Sequence, residues 1–525
     1  MKRIFTFFAT AIMCSQLFAG GIVTNSNQSA HFVRLLSRNA STGIDAVYFN
    51  PAGLVRMDDG FHFSLNNQTV FQEKTVTNNF GTLNDNSYIG DVSAPLFPSF
   101  FAVYKKDKLA LGFGFGPNGG GGSAEYSTGL PSFEMPISLI PGSLTSKGIL
   151  TDKYSADIYF NGSSVFWGAQ VNGSYAINDM ISVSAGVRMV FAKNVYEGHL
   201  KNIQINPMHP LNANGMGNMV SAPLFFTDLA TAASGASEQI QPLITNGAGG
   251  LTLDQAVAGI PTFTQEQADA LAAGLGIPSN SLLTIAQIQG GYDQSAALST
   301  ENALKTADMD VDATQTGRGF TPFFGANITI NDKLNIGIKY ELNTKLELTN
   351  EADADKDANG MFKNDSTFRS DIPAILALGI EYKIMDEFRV SASWTHYFDK
   401  NADWNGKEAF VDKNLYEIAL GMEYDVSEKI TLSAGYMHGQ TGVGQGYQTD
   451  LSFSNSTSTV GFGGRLHVNE NLSIDLGALF TMYTDGNEDK VYNYYNTAGE
   501  LKSINYKETY GKSLMDFAIG VNYKF

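Results

Sequence analysis

Six times along this chain a run of alternating apolar and polar residues ends in a short polar turn and starts again, and the last residue is a phenylalanine. In the clearest case Val171, Gly173, Tyr175 and Ile177 lead to Asn178-Asp179. Ile181, Val183, Ala185, Val187, Met189 and Phe191 then resume the alternation. Successive side chains of a strand point to opposite faces, so period-two apolarity on both sides of a tight turn predicts a β-hairpin with one apolar face. The same pattern recurs at Lys106-Asp107, Asn331-Asp332, Asp386-Glu387, Glu428-Lys429 and Asn469-Glu470. The segments between these hairpins are long and polar: 72–96, 117–160, 197–317, 346–371, 400–412, 440–456 and 484–511. With a first strand at 61–71 and a last at 513–525, the count is about fourteen antiparallel strands, with both chain ends on the short-turn side. Short turns on one side and long loops on the other are the sequence pattern of an all-β transmembrane barrel, whose short-turn side faces the periplasm.

Composition and targeting point the same way. The 525 residues run from the first hairpin to the end without an interdomain linker, which favours one large domain at 61–525. Charged residues are 16%, against about 25% in soluble proteins, while glycine (54 residues) and aromatics (12%) are plentiful. Lys2-Arg3, an apolar stretch and small Ala19 read as a secretory signal over 1–19. No segment offers the roughly 18 uninterrupted apolar residues that a spanning helix needs. Cys14, the single cysteine, falls inside the signal, so no disulfide is available. A net charge of −18 argues against nucleic acid as a partner and for an acidic outer surface.

The alternation also assigns faces. Trp167, Val171, Ile336, Ile338, Leu376, Leu378, Trp394, Leu420, Met422, Leu432, Leu476, Phe517 and Ile519 point outward. Gln170, Asn172, Arg188, Lys339, Glu341, Glu381, Arg389, Glu417, Glu423, Arg465, Asp475 and Asp516 point into the lumen. Charges of both signs inside a barrel have two readings: a solvated, mutually neutralising interior, or groups that clasp a plug or a ligand head group.

Between the signal and the first strand, residues 20–60 do not alternate and are too few for a separate domain. They contain Asn50-Pro51-Ala52-Gly53-Leu54, preceded by Ser41-Thr42-Gly43-Ile44-Asp45-Ala46. A small-residue segment tethered to the start of a barrel can fold back into its lumen. With this Asn-Pro-Ala motif about ten residues before the first strand, about fourteen strands and a terminal aromatic, the mature chain resembles the FadL family of outer-membrane transporters for long-chain fatty acids and other hydrophobic compounds. The resemblance implies an N-terminal hatch in which Asn50, Pro51, Ala52 and Gly53 hold or hinge the plug. It also implies a kinked third strand that opens the wall toward lipid.

The third strand, 109–116, places Ala110, Gly112, Gly114 and Gly116 inward, followed by Pro117 and glycines at 119–122. Glycine and proline inside a strand mark bulges and missing ladder donors, so Gly112, Gly114, Gly116 and Pro117 are the candidate kink, against the alternative of a flexible entry into a surface loop. Gly114 to Gly119 spells GxGxxG, but no βαβ unit surrounds it. The 197–317 segment is too long for passive coil and carries apolar residues at helical spacing. Helices there can pack a small apolar cap, and the resemblance implies that they first capture ligand, with Leu224, Phe225, Phe226, Leu271, Leu275, Leu282 and Leu283 as candidate capture residues. Tyr523 and Phe525, in a final alternating strand, look like the signal read by the barrel-assembly machinery.

Catalysis and metal binding find little support. The histidines at 31, 62, 199, 209, 396, 438 and 467 show no HExxH spacing, and there is no G-x-S-x-G elbow. Asp353, Asp355 and Asp357 mimic half of a calcium loop, but Ala358 replaces the turn glycine and no glutamate stands at the twelfth position. The expectation is a passive transporter of the bacterial outer membrane, not an enzyme. It uses no cofactor, takes hydrophobic small molecules, and exchanges them with outer-membrane lipid and detergent-like amphiphiles. A general porin with an open lumen and a surface adhesin or receptor are the other two readings.

Overall fold

The computed structural model describes residues 28–357, 361–495 and 500–525. The expected signal at 1–19, and residues 20–27 of the segment that follows it, lie outside the described residues. The first six barrel strands are β1 Gly60–Asn78, β2 Ser87–Lys106, β3 Leu109–Tyr126, β4 Tyr154–Ala176, β5 Ile181–Ile205 and β6 Met309–Ile330. Next come β7, Leu334–Glu341 continued by Glu347–Asp357, and β8, Thr367–Arg369 continued by Ile375–Met385. Then follow β9 Phe388–Tyr397, β10 Tyr416–Ser427, β11 Ile430–Gln440 and β12 Thr457–His467. The last two are β13, Leu472–Tyr483 continued by Gly486–Tyr495, and β14 Leu501–Lys524.

Each strand runs antiparallel to the next, and β1 closes on β14 from His62 opposite Lys524 to Asn78 opposite Glu508, a barrel of 14 strands. All six expected short turns lie between consecutive strands. Asp107, Asn331 and Asp332 adopt positive φ there, a conformation that Asp and Asn tolerate better than most residues. The two chain ends meet on this side, where Phe525 N donates to Phe61 O at 2.8 Å. Among the described residues no helix is long and apolar enough to cross a membrane. Crossing falls to the strands, which satisfy one another's backbone groups.

Burial follows the alternation read from sequence. Val171 and Leu420 are 53% and 57% exposed on the outside, whereas Asp475 and Asp516 are 1% and 0% exposed inside. The strands nevertheless reach farther than their apolar stretches. The segment at 346–371, expected as a loop, carries Glu347–Asp357 and Thr367–Arg369 in the ladder, so the acidic run from Asp353 lies on a strand extension. Likewise β1 continues to Asn78, and β14 begins at Leu501. Beyond the hydrocarbon both faces are polar, which erases the alternation but leaves the ladder hydrogen bonds intact.

Residues 28–57 lie inside the barrel. They form α1 Ala30–Arg34, α2 Ala46–Phe49 and a 3₁₀ turn Pro51–Arg56, and most of them are buried. Their backbone approaches the wall where inward positions lack side chains. A Cβ on Gly337 would stand 2.1 Å from Asn39 O, one on Gly379 2.3 Å from Asn39 C, and one on Gly461 2.5 Å from Val33 O. At the opposite end, the β3–β4 connection holds α3 Pro131–Ser138 and α4 Ile140–Ser146. The β5–β6 connection holds α5 Ala222–Thr245, α6 Leu253–Gly259, α7 Gln265–Gly274 and α8 Ile285–Lys305.

Gly379→Val tests this close approach. Valine suits a strand, so the barrel should form, but its side chain overlaps the Asn39–Ala40 peptide and should displace the plug. The expected result is higher single-channel conductance than the parent, with the heat-modifiable mobility of a folded barrel retained.

Candidate functional site

The plug is held by buried charge. Ser29 caps α1 by accepting from Phe32 N at 3.0 Å, which aims Arg34 at the wall of β10, β11 and β13. There Arg34 Nε donates to Asp475 Oδ1 at 2.8 Å and Nη1 to Ser433 Oγ at 2.8 Å, with Glu423 Oε2 3.4 Å from Nη1. His31 Nε2 lies 3.2 Å from the same Glu423 oxygen. On the far side Lys339 Nζ donates to Tyr48 O at 2.6 Å and Gln170 Nε2 to Val47 O at 2.5 Å. Arg188 pairs with Glu341 at 2.8 Å and stands 4.7 Å above the Tyr48 ring. The lumen charges pair with one another and with the plug, buried and not solvated as the first reading had it. Arg188 and Glu341 neutralise each other, while Asp475, Glu423 and Lys339 also grip the plug.

The Asn-Pro-Ala motif is hydrogen-bonded to the wall. Asn50 Nδ2 donates to Ser41 O at 3.0 Å and to Asn327 Oδ1 of β6 at 2.7 Å. Pro51 occupies the first turn of the 3₁₀ segment, where its missing N–H costs nothing. Wall hydroxyls take the next carbonyls: Ser174 Oγ donates to Pro51 O and Ser182 Oγ to Ala52 O, each at 2.7 Å. A Cβ on Gly53 would lie 2.4 Å from Ser41 O, so the turn closes only on glycine.

The wall departs from continuous pairing between β2 and β3. Lys106 opposite Leu109 through Phe100 opposite Phe115 pair regularly, and the next pair is Asp91 opposite Glu125. Residues 92–99 of β2 and 116–124 of β3 therefore face each other unpaired. Two register shifts in β3 against β4, at 117/119 and 119/122, carry the bend, with Gly120 and Gly122 at positive φ. Gly116 and Pro117 lie at its start. Gly112 and Gly114 do not belong to it. They sit in the regular ladder, and a Cβ there would lie 3.1 Å from Leu54 Cδ1 and 3.0 Å from Val47 Cγ1. Their absent side chains make room for the plug.

Gln28 lies across this gap. Its side-chain amide donates to Pro117 O on the β3 edge, and its carbonyl accepts from Ser99 Oγ on the β2 edge at 2.6 Å. Sequence reasoning did not find Gln28 or Ser99. The prolines in β2, Pro95 and Pro98, were the available signal.

The candidate capture residues are divided among three places. Phe225 and Phe226 are buried with Ile137, Ile140, Ile203 and Ile205 in a core that seats α5 on the barrel rim. Leu271 and Leu275 pack into a second small core among α5 to α8. Leu224, Leu282 and Leu283 remain exposed. The inserted helices thus bury most of their apolar residues against one another, and capping accounts for Phe225 and Phe226. Deeper in the extracellular loops Lys407 stands 4.4 Å over the Tyr447 ring, and burial lowers its ammonium to about 7. Asp450, buried near Glu508, is raised to about 6, burial being the larger cause. At the opposite end Tyr523 and Phe525 face outward with ring centroids 4.6 Å apart. Among the described residues no group of side chains is arranged to hold a metal ion.

The family model described as "Outer membrane protein transport protein (OMPP1/FadL/TodX)" matches residues 258–525. Among solved structures, a Pseudomonas aeruginosa FadL homologue is similar over 96% of this chain and 100% of its own, with a TM-score of 0.56 at 15% identity. The TodX deltaS2S3 mutant, a monoaromatic hydrocarbon channel, is similar over 95% and 99%, with a TM-score of 0.51 at 13% identity. At these identities the likeness concerns the fold. No curated protein matches the sequence.

Replacing Arg34 tests the charge grip. Breaking a buried ion pair by removing one partner costs about 3–5 kcal/mol. Here Arg465 still pairs with Asp475 and Arg389 with Glu423, so Arg34→Met should fall at the low end, about 3 kcal/mol. The checking measurement is urea unfolding in micelles followed by tryptophan fluorescence.

Proposed function

Because this chain belongs to the outer-membrane transport family of OMPP1, FadL and TodX, we propose that hydrophobic molecules enter its lumen from outside and leave sideways into the membrane between β2 and β3. It is an outer-membrane barrel of a family of transport channels, not of enzymes. The unpaired stretch of wall carries the lateral-exit reading. In hydrocarbon an unsatisfied backbone group costs several kcal/mol, so a gap persists only if its edges are satisfied some other way. On β2, Pro95 and Pro98 have no N–H to leave unpaired. Pro95 O accepts from Asn67 Nδ2 at 3.2 Å and from Thr69 Oγ1 at 3.1 Å, and Phe97 N donates to Asn67 Oδ1 at 3.0 Å. These bonds lie in the bulge of the β1–β2 pairing, between 68/70 of β1 and 94/97 of β2, so β1 holds this stretch of β2 in place.

The surroundings suit an apolar cargo. Phe115 stacks on Trp167 with centroids 5.4 Å apart, and Phe97 lies 5.9 Å from the same indole, an apolar rim on the lipid side. Inside, above the plug, Phe166, Val190, Ala192, Leu346, Leu348 and Ile372 form a buried apolar face. Burial there offsets the barrier to crossing the polar outer layer, at about 25 cal/mol per Å². The exposed Leu224, Leu282 and Leu283 make first contact with the molecule, and a concentration gradient drives the passage. The moving part is the stretch of the plug at Gln28, hydrogen-bonded to Pro117 and Ser99. The body, fastened at Arg34, Asn50 and Lys339, stays in place. A porin reading needs an open lumen, and residues 28–57 occupy it.

A reversible staple tests the exit. Gly116, if given a Cβ, would place it 3.0 Å from Ser99 Cβ, close to the roughly 3.8 Å separation of a disulfide. Cys14 is the chain's single cysteine and lies in the expected signal, so no native thiol of the mature chain competes. In Ser99→Cys/Gly116→Cys, oxidation should lower uptake of a radiolabelled hydrophobic substrate by whole cells severalfold, and reductant should restore it. Uptake indifferent to the staple would exclude release between β2 and β3.

A further inference from the structure

Above the gap, among the described residues, a single pair joins β2 to β3, Asp91 opposite Glu125. One pair is little to stop the gap from spreading toward the loops, and side chains supply other ties. The Tyr126 ring of β3 lies over Gly90 of β2, where a Cβ would stand 2.4 Å from Tyr126 Cζ. The chain then enters α3, which turns back onto β2. Leu130, at its start, is buried with Tyr88, Val92, Ala124 and Tyr126. Val92 and Ala124 are the uppermost unpaired residues on the two sides of the gap, so Leu130 covers that corner from inside.

The strongest tie is a carboxylate. Glu134 of α3 is buried, and it accepts from Tyr88 Oη of β2 at 2.5 Å, from Tyr154 Oη of β4 at 2.6 Å and from Asn84 N of the β1–β2 connection at 3.1 Å. A carboxylate out of water is costly unless donors meet it, and bonds to it are roughly twice as strong as neutral ones. Because β3 lies between β2 and β4, Glu134 ties its two neighbours together across the strand that the gap has freed. Two further bonds hold the helix. Ser132 N donates to Asp450 Oδ2 at 2.8 Å, and Ser138 Oγ stands 2.7 Å from Thr82 Oγ1. Resting on the lateral-exit reading above, we propose that α3 is a strap over the upper end of the gap and that Glu134 is the positioning residue that sets how broad a hydrophobic molecule the gap passes. Glu134 acts through Tyr88 and Tyr154. While they are tied, the gap cannot lengthen toward the loops. A slender chain leaves end-on through such a gap, whereas a fused-ring molecule needs the strands farther apart.

The test is whole-cell uptake of two radiolabelled neutral hydrocarbons, hexadecane and pyrene, with cells lacking the protein as background. The parent should take up hexadecane in preference to pyrene. Glu134→Ala should raise the ratio of pyrene to hexadecane uptake about tenfold, the effect of one charge-assisted hydrogen bond on the balance between tied and loose strap. Glu134→Gln, which keeps one acceptor oxygen, should fall between the parent and the alanine variant. Heat-modifiable mobility reports a folded barrel. Should Glu134→Ala fail to fold, Tyr88→Phe/Tyr154→Phe removes the two hydroxyls that Glu134 holds, keeps both rings in place and decides. A helix that merely packs the loops changes the uptake of both probes alike, so an unaltered ratio overturns the strap, as does a parent without preference. The Ser99→Cys/Gly116→Cys staple separates this outcome from failure of the exit. If oxidation blocks hexadecane uptake, the lateral exit stands whatever the strap does. If it does not, or if the parent takes up neither probe above background, exit and strap fall together.

Discussion

A backbone N–H or C=O in hydrocarbon must have a partner, and the rest of this structure depends on that requirement. Closing β1 on β14 supplies partners around the whole circumference and leaves no free edge. Against this background the unpaired facing stretches of β2 and β3 are an exception that has been stabilised. Its two prolines bring no donors, and the side chains of Asn67 and Thr69 tie the bulged β2 to β1.

The plug obeys a related rule for charge. Glu423, Asp475, Lys339 and Arg188 would each be costly to bury alone inside a narrow lumen. Together with Arg34, His31 and the carbonyls of the plug they form networks of ion pairs and hydrogen bonds. The wall makes space at the same height by presenting glycine, as at Gly337, Gly379 and Gly461. Close backbone approach and buried ion pairs reinforce each other here, because the ion pairs reach good geometry only when the plug lies against the wall. Gln28, itself uncharged, meets the wall through hydrogen bonds to Pro117 and Ser99, at the edge of the gap.

The loops divide their labour by burial. The helices of the β5–β6 connection contain enough apolar surface to build two small cores, one seated on the rim and one internal. Little of it is left for a ligand, and what remains exposed is scattered among Leu224, Leu282 and Leu283. A further apolar cluster, around Phe166, Val190 and Leu348, is buried on the barrel wall.

Local chemistry made much of this legible from sequence. Period-two alternation placed Asp475 and Arg188 inside and Leu420 and Ile519 outside, because a strand has only two faces. Tight polar turns such as Asn331-Asp332 located the hairpins, since few residues accept positive φ. Asn50-Pro51-Ala52-Gly53 stood out by its place before the first strand, but its partners Asn327, Ser174 and Ser182 come from distant strands. Tertiary structure decided what depends on partners distant in sequence. Gly112 and Gly114 read as a kink until Leu54 and Val47 stood beside them. Phe225 and Phe226 read as a capture surface until Ile137 and Ile203 covered them. The meeting of Tyr88 and Tyr154 at Glu134 exists only because the β3–β4 connection folds back onto β2, and a one-dimensional pattern carries no record of which strands a loop helix touches.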